Sequence, residues 1–242
     1  MNDIVFSANG LSKKYASTVA LDNLDMAVGR GEIYGLVGEN GAGKTTLMRI
    51  LSGLAFKTSG EMSLFGTSDK NSLAGQRQRI GFLVEMPALY PDMTAAENLE
   101  VQRLQRGIPG KTCIGKALRT VGLTDTGKKK AQHFSLGMKQ RLGLAMALLG
   151  EPEFLVLDEP VNGLDPTGIV ETREILKKLN KEYGTTILIS SHMLSELYQL
   201  ASCYGFIHKG RLLEQTTLAQ LDEQGDGLEA YYMRLIRGKP HA

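Results

Sequence analysis

The first two runs of the chain, Ile4 to Tyr15 and Ala20 to Val28, read as extended segments, and the turn Gly29-Arg30-Gly31 leads out of them. They predict a small antiparallel sheet beside the core. The next run, Ile33-Tyr34-Gly35-Leu36-Val37, is short, continuously apolar and bounded by glycine, which predicts a buried strand. A glycine-rich stretch follows at once, and then a helical pattern from Thr46 to Leu51. Three more short apolar runs predict strands at Ile80 to Leu83, Phe154 to Asp158 and Thr185 to Ser190. The last two are separated by a helix from Thr167 to Tyr183, with Asp165 at its cap, Pro166 at the first helical position and Gly184 as its stop. Strands alternating with helices imply an α/β fold with a mostly parallel sheet.

Between Pro87 and Gly150 the period changes. Thr94-Ala95-Ala96-Glu97 has the spacing of a capping box, and Thr112 to Val121 and Ser135 to Leu149 read as two further helices, so about 87–150 is expected to be a helical insertion. From about 203 to 242 the chain reads as a hairpin around Lys209-Gly210 and an amphipathic helix from Leu228 to Arg237. No apolar run reaches the ~18–20 residues that a membrane span needs. The opening MNDIVFSANG lacks the charged, apolar and small-residue regions of a secretory signal, so the chain is expected to stay where it is made.

Composition narrows the picture. Hydrophobic residues at 42% and charged residues at 22% exclude a disordered chain. A net charge of +2 gives no overall field toward nucleic acid, and no nucleic-acid partner is expected. Cys113 and Cys203 match no metal or redox spacing and are expected to be small buried groups in a reducing compartment.

The chemistry is concentrated in a few places. Gly38 to Thr45 satisfies G-x-x-x-x-G-K-[ST], in which Gly38, Gly43 and the extra Gly41 let backbone N–H groups curl around a polyphosphate at a helix N-terminus. Lys44 supplies a point charge and Thr45 a magnesium ligand, so the motif implies a nucleoside triphosphate. Phe154 to Glu159 is an apolar strand ending in two carboxylates. Asp158 is the candidate to hold magnesium, and Glu159, on the other face, is the candidate general base for an attacking water. Ser190-Ser191-His192 ends the next strand and puts His192 at the same sheet edge, within reach of a terminal phosphate. Tyr15 is either a core aromatic or a stacking face for adenine.

Taken together, these residues resemble the ATP-binding subunits of ABC transporters from Tyr15 to His192, in the family's order. The resemblance implies a single ABC ATP-binding domain over 1–242, with the P-loop NTPase (RecA-like) parallel core, a small N-terminal antiparallel subdomain and a helical signature subdomain. It also implies roles for particular residues. Tyr15 looks like the adenine-stacking aromatic, and GENGAGKTT, with Asn40 and Thr46, the phosphate loop. Asn162-Gly163-Leu164-Asp165 looks like the dimer-contact loop and His192 the switch histidine. The family signature LSGGQ appears as Phe134-Ser135-Leu136-Gly137-Met138, departing at three of five places. Ser135 and Gly137 keep what a helix N-terminus needs to meet a γ-phosphate held by another molecule. The family's usual glutamine after the Ile80–Leu83 strand is Glu85 here. Beside magnesium, Glu85 would either weaken nucleotide coordination or grip a basic residue of the permease. Glu85, Pro87 to Pro91, Glu97-Asn98-Leu99 and FSLGMKQRLGLA together resemble the subgroup for bacitracin export and lantibiotic immunity.

The resemblance therefore implies an ATPase needing ATP and Mg²⁺, a head-to-tail homodimer with ATP at its interface, separate permease subunits, and a peripheral position on the cytoplasmic face of the membrane. A peptide antibiotic would be met only through the permease. The alternative is a soluble ABC ATPase acting on nucleic acid or ribosomes; against it stand the single phosphate loop and the absence of any basic stripe beyond Lys128-Lys129-Lys130. A small-molecule kinase would leave Ser135 to Arg141 unexplained.

Overall fold

The protein was analysed as a computed structural model, which describes residues 3–85, 87–225 and 227–238. In chain order the elements are β1 (Ile4–Tyr15), β2 (Thr18–Gly29), β3 (Ile33–Val37), α1 (Lys44–Ser52), β4 (Ser59–Leu64), α2 (Leu73–Arg77) and β5 (Ile80–Leu83). Next come α3 (Ala95–Gln105), α4 (Thr112–Thr120), α5 (Leu136–Leu148), β6 (Phe154–Asp158), α6 (Pro166–Tyr183) and β7 (Thr186–Ser190). The last elements are α7 (Leu194–Leu200), β8 (Cys203–His208), β9 (Arg211–Thr217), α8 (Leu218–Glu223) and α9 (Leu228–Arg237).

The main sheet has the order β5-β6-β7-β3-β8-β9, parallel except for the last pair. Both faces of its central strands are covered, which is why they read as unbroken apolar runs. Along β6, Phe154 and Val156 join the cluster toward α1 and the antiparallel sheet, while Leu155 and Leu157 join the cluster under α5, α6 and α7. The second sheet, β2-β1-β4, lies on the α1 side. Its third strand, β4, was not anticipated: of its six residues only Met62 and Leu64 are buried, so it carries little apolar signal.

Helix starts follow local chemistry. Thr94 and Glu97 form a reciprocal capping box on α3, Ser135 caps α5, and Asp165 with Pro166 opens α6. Helix α1 is different: its cap, Gly43, offers no side chain, and its first turn holds no acidic residue. Its N–H groups are left for something outside the helix. The helix begins at Lys44, two residues before the apolar pattern suggests.

The parallel strands all end at one edge, and β7 lies between β3 and β6. That order sets the phosphate loop after β3 and the carboxylates at the end of β6 on either side of the end of β7. The turn between β8 and β9 braces the loop: Gly210 N–H donates to Ala42 O at 2.9 Å, and Asp22 N–H of β2 donates to Gly210 O at 2.9 Å.

Candidate active site

The loop after β3 owes its path to glycines that have no room for a side chain. A Cβ on Gly38 would lie 2.6 Å from Ile207 O of β8, and one on Gly43 would lie 2.7 Å from Ala20 O of β2, at φ +113°. The loop and β2 enclose a cavity of about 170 Å³ lined by Ala20, Glu39, Asn40, Gly41, Gly43, Lys44, Thr45, Thr46 and Glu159. Lys44 is buried, and its Nζ donates to Gly38 O at 2.6 Å and Glu39 O at 3.2 Å. Burial lowers its pKa, while Glu159 and Asp158 act in the opposite direction. The cradle is therefore a glycine-rich loop at a helix N-terminus with a buried ammonium in its lining, suited to a polyphosphate.

Asp158 ends β6 and is buried. The hydroxyl of Ser190 donates to Asp158 Oδ1 at 2.6 Å and accepts the backbone N–H of Glu159 at 3.0 Å. Glu159 stands at φ +49°, a conformation that side-chain-bearing residues rarely adopt. Its Oε2 accepts from the backbone N–H of His192 at 3.2 Å and lies 2.7 Å from His192 Nδ1. The structure thus brings Lys44, Asp158, Glu159 and His192 together at one edge. A threonine hydroxyl and one buried carboxylate suit a hard cation that keeps most of its waters and phosphate ligands; no group of three or more His, Cys, Asp or Glu forms a metal cluster among the described residues.

Ser135, Gly137 and Asp165 lie elsewhere. They line a separate cavity of about 440 Å³ between the start of α5 and the loop before α6, where Arg141 and Glu171 approach at 3.3 Å. Ser135 Oγ accepts from Met138 N–H at 3.2 Å, and Asp165 Oδ1 accepts from Gly168 N–H at 3.1 Å. Tyr15 ends β1, 40% exposed, with Lys13 Nζ 4.5 Å from its ring centroid. It pairs with Thr18, two residues before the cavity-lining Ala20. Glu85 does not line the phosphate cavity; it sits at φ +66° with its carboxylate ion-paired to Arg49 of α1. Its carboxylate is therefore paired within its own chain.

Sequence reading left three participants without a role. Ser190 had only its place two residues before His192 as a signal, Arg49 had its place one helical turn past the loop, and Tyr232 of α9 had none. Tyr232 Oη accepts from Glu39 N–H at 3.1 Å and donates to Ile207 O at 3.3 Å, tying the last helix to the phosphate loop.

A strand, a glycine loop ending in Lys-Thr, a helix, and an Asp-Glu pair two strands away define a nucleoside triphosphate-hydrolysing site. The ABC transporter family model matches residues 21–162, and the chain belongs to that family: it binds ATP and is an ATPase of the transporter class. It is 45% identical over 222 residues to the bacitracin transport ATP-binding protein BcrA of Enterococcus faecalis, covering 92% of this chain and 72% of that protein. It is 42% identical over 220 residues to the lantibiotic transport ATP-binding protein SrtF of Streptococcus pyogenes, covering 90% of each. A solved structure of an ATP-binding subunit of an ABC transporter superposes with a TM-score of 0.85 at 29% identity, covering 96% of this chain and 99% of that one.

Proposed function

We propose that this ATPase powers export of, or immunity to, peptide antibiotics of the bacitracin or lantibiotic type, working with permease subunits at the cytoplasmic face of the membrane. The relatives named above support the cargo class. No helix among the described residues is long and apolar enough to cross a membrane.

The observation that carries the mechanism is the separation of two half-sites. Lys44 and Glu159 line one cavity, and Ser135 and Gly137 line another. A nucleotide touched by both sets is held between two copies arranged head to tail. Thr45 and Asp158 would hold magnesium, which neutralises phosphate charge when bound. Lys44 and the glycine N–H groups fix the phosphates. Glu159, held through Oε2 by His192, takes a proton from the attacking water on Oε1. Tyr15 offers an exposed ring for the adenine at the tip of the adjoining hairpin.

The test is Glu159→Gln. It is expected to bind ATP and dimerise on a sizing column while its turnover drops ~10²-fold or more. With ATP, the tagged variant is expected to retain a hydrophobic permease from solubilised membranes. Near-normal turnover would refute the role of Glu159, and recovery of ribosomal or DNA-bound partners in place of a permease would refute the transport reading.

A further inference from the structure

We infer that Ser190 is a positioning residue for hydrolysis, setting both carboxylates of the site through one hydroxyl. The inference rests on the reading above, in which Asp158 serves magnesium and Glu159 the water. Ser190 is fully buried at the end of β7, in register with Asp158 of β6. Its single proton goes to Asp158 Oδ1 at 2.6 Å, which fixes the direction of the hydroxyl and turns its lone pairs toward the N–H of Glu159, 3.0 Å away. One side chain therefore aims the first carboxylate and pins the backbone of the second.

The pinned residue is the one that needs it. Glu159 holds φ +49° without being glycine, and such a conformation persists only where the surroundings over-determine it. Three restraints act on it, the first being the turn in which its carbonyl accepts from Asn162 N–H at 3.1 Å. Ser190 holds its N–H, and the backbone and ring of His192 hold its carboxylate. Without the hydroxyl, the N–H of Glu159 loses its partner and the strained backbone is held only by its carbonyl and carboxylate bonds, so the carboxylate is expected to be less well aimed. The same loss leaves Asp158 Oδ1 without its short hydrogen bond. Groups that orient ligating or catalytic side chains in this way typically contribute about 10- to 100-fold to metal affinity or activity.

The experiment compares Ser190→Thr with Ser190→Val, which add the same bulk to the strand and differ only in the hydroxyl; Ser190→Ala removes the hydroxyl without adding bulk. For each variant, kcat, the KM for ATP, the magnesium concentration giving half-maximal rate, and the affinity for a fluorescent ATP analogue with and without magnesium are measured. Ser190→Thr is expected to keep kcat within about threefold, while Ser190→Val and Ser190→Ala fall about 10- to 100-fold. In those two, analogue binding without magnesium stays at the wild-type level and more magnesium is needed. Equal rates for Ser190→Thr and Ser190→Val, or a wild-type rate and magnesium requirement in Ser190→Ala, would overturn the inference. Glu159→Gln runs alongside: if it stays slow while Ser190→Ala is normal, only the role of Ser190 fails, whereas a fast Glu159→Gln brings down the parent reading.

Discussion

Replacing Gly43 by alanine tests how far the phosphate loop depends on a missing side chain. Two costs can be worked out. The backbone at φ +113° lies outside the wells open to L-residues, worth about 1–3 kcal/mol. The new Cβ would also stand 2.7 Å from Ala20 O and 2.8 Å from Leu21 Cδ2, an overpacking worth about 1–3 kcal/mol. Strand β2 cannot simply withdraw, because Asp22 N–H is bonded to Gly210 O and Gly210 N–H to Ala42 O, closing a ring around the contact. The strain is expected to be relieved instead by rotating the peptide that joins Gly43 to Lys44, whose N–H at the start of α1 is one of those expected to meet the phosphates. Loss of one charge-assisted hydrogen bond there lowers ATP affinity by about 10- to 100-fold. The comparison is Gly41→Ala, where φ is +80° but nothing lies within 4 Å of the added Cβ, so only a backbone cost of about 1–2 kcal/mol applies. Urea unfolding and nucleotide titration of both variants decide the matter. If Gly43→Ala costs no more stability than Gly41→Ala and binds ATP like the wild type, the steric account of the loop is wrong.

Two further outcomes follow from charge and capping. Glu153 bonds Arg79 through both oxygens, at 2.7 and 2.8 Å, and Arg30 at 2.9 Å; Arg79, then Arg30, hold its pKa at about 2, below the ordinary 4.5. Because the folded value is the lower one, the stabilisation is complete above about pH 4.5 and is lost as pH falls toward about 2. The side chain is 42% exposed, and screening leaves about 1 kcal/mol of it, so Glu153→Gln should unfold at lower urea than wild type at pH 7, by a margin that narrows at pH 3. Ser135→Ala should cost about 1 kcal/mol as α5 loses its cap. Its ATP affinity at dilute monomer concentration should not change, while its hydrolysis at concentrations that favour pairing falls; a weakened monomer affinity would argue against the second half-site.

Much of this was legible in the chain because the signals are local. The run Ile33 to Val37 followed by the glycines gives the strand, loop and helix, and Asp165-Pro166 with Gly184 brackets α6. Tertiary effects were not legible. Strand β4 draws its place from pairing with β1 and not from its own composition, and α2, α7 and α8 are too short to show a period. In the site, residue types pointed to Lys44, Asp158, Glu159 and His192 because motif spacing is a sequence property. The hydroxyl of Ser190 between two carboxylates exists only because β6 and β7 are in register, and the pairing of Glu85 with Arg49 only because α1 ends beside that loop. A positive φ at Glu159 leaves no trace in the residue type at all.

The bond between Tyr232 and the phosphate loop makes α9 a lever. Glu39 is far from Tyr232 along the chain, yet one phenol oxygen joins the loop to the last helix and to β8. Force applied to α9, by a fused domain, a surface tether or a pulling handle, is expected to reach the nucleotide cradle through that phenol. A fusion engineered there reports on nucleotide occupancy and also perturbs it, whereas the same cargo attached at the exposed loop around Phe56 leaves that linkage slack.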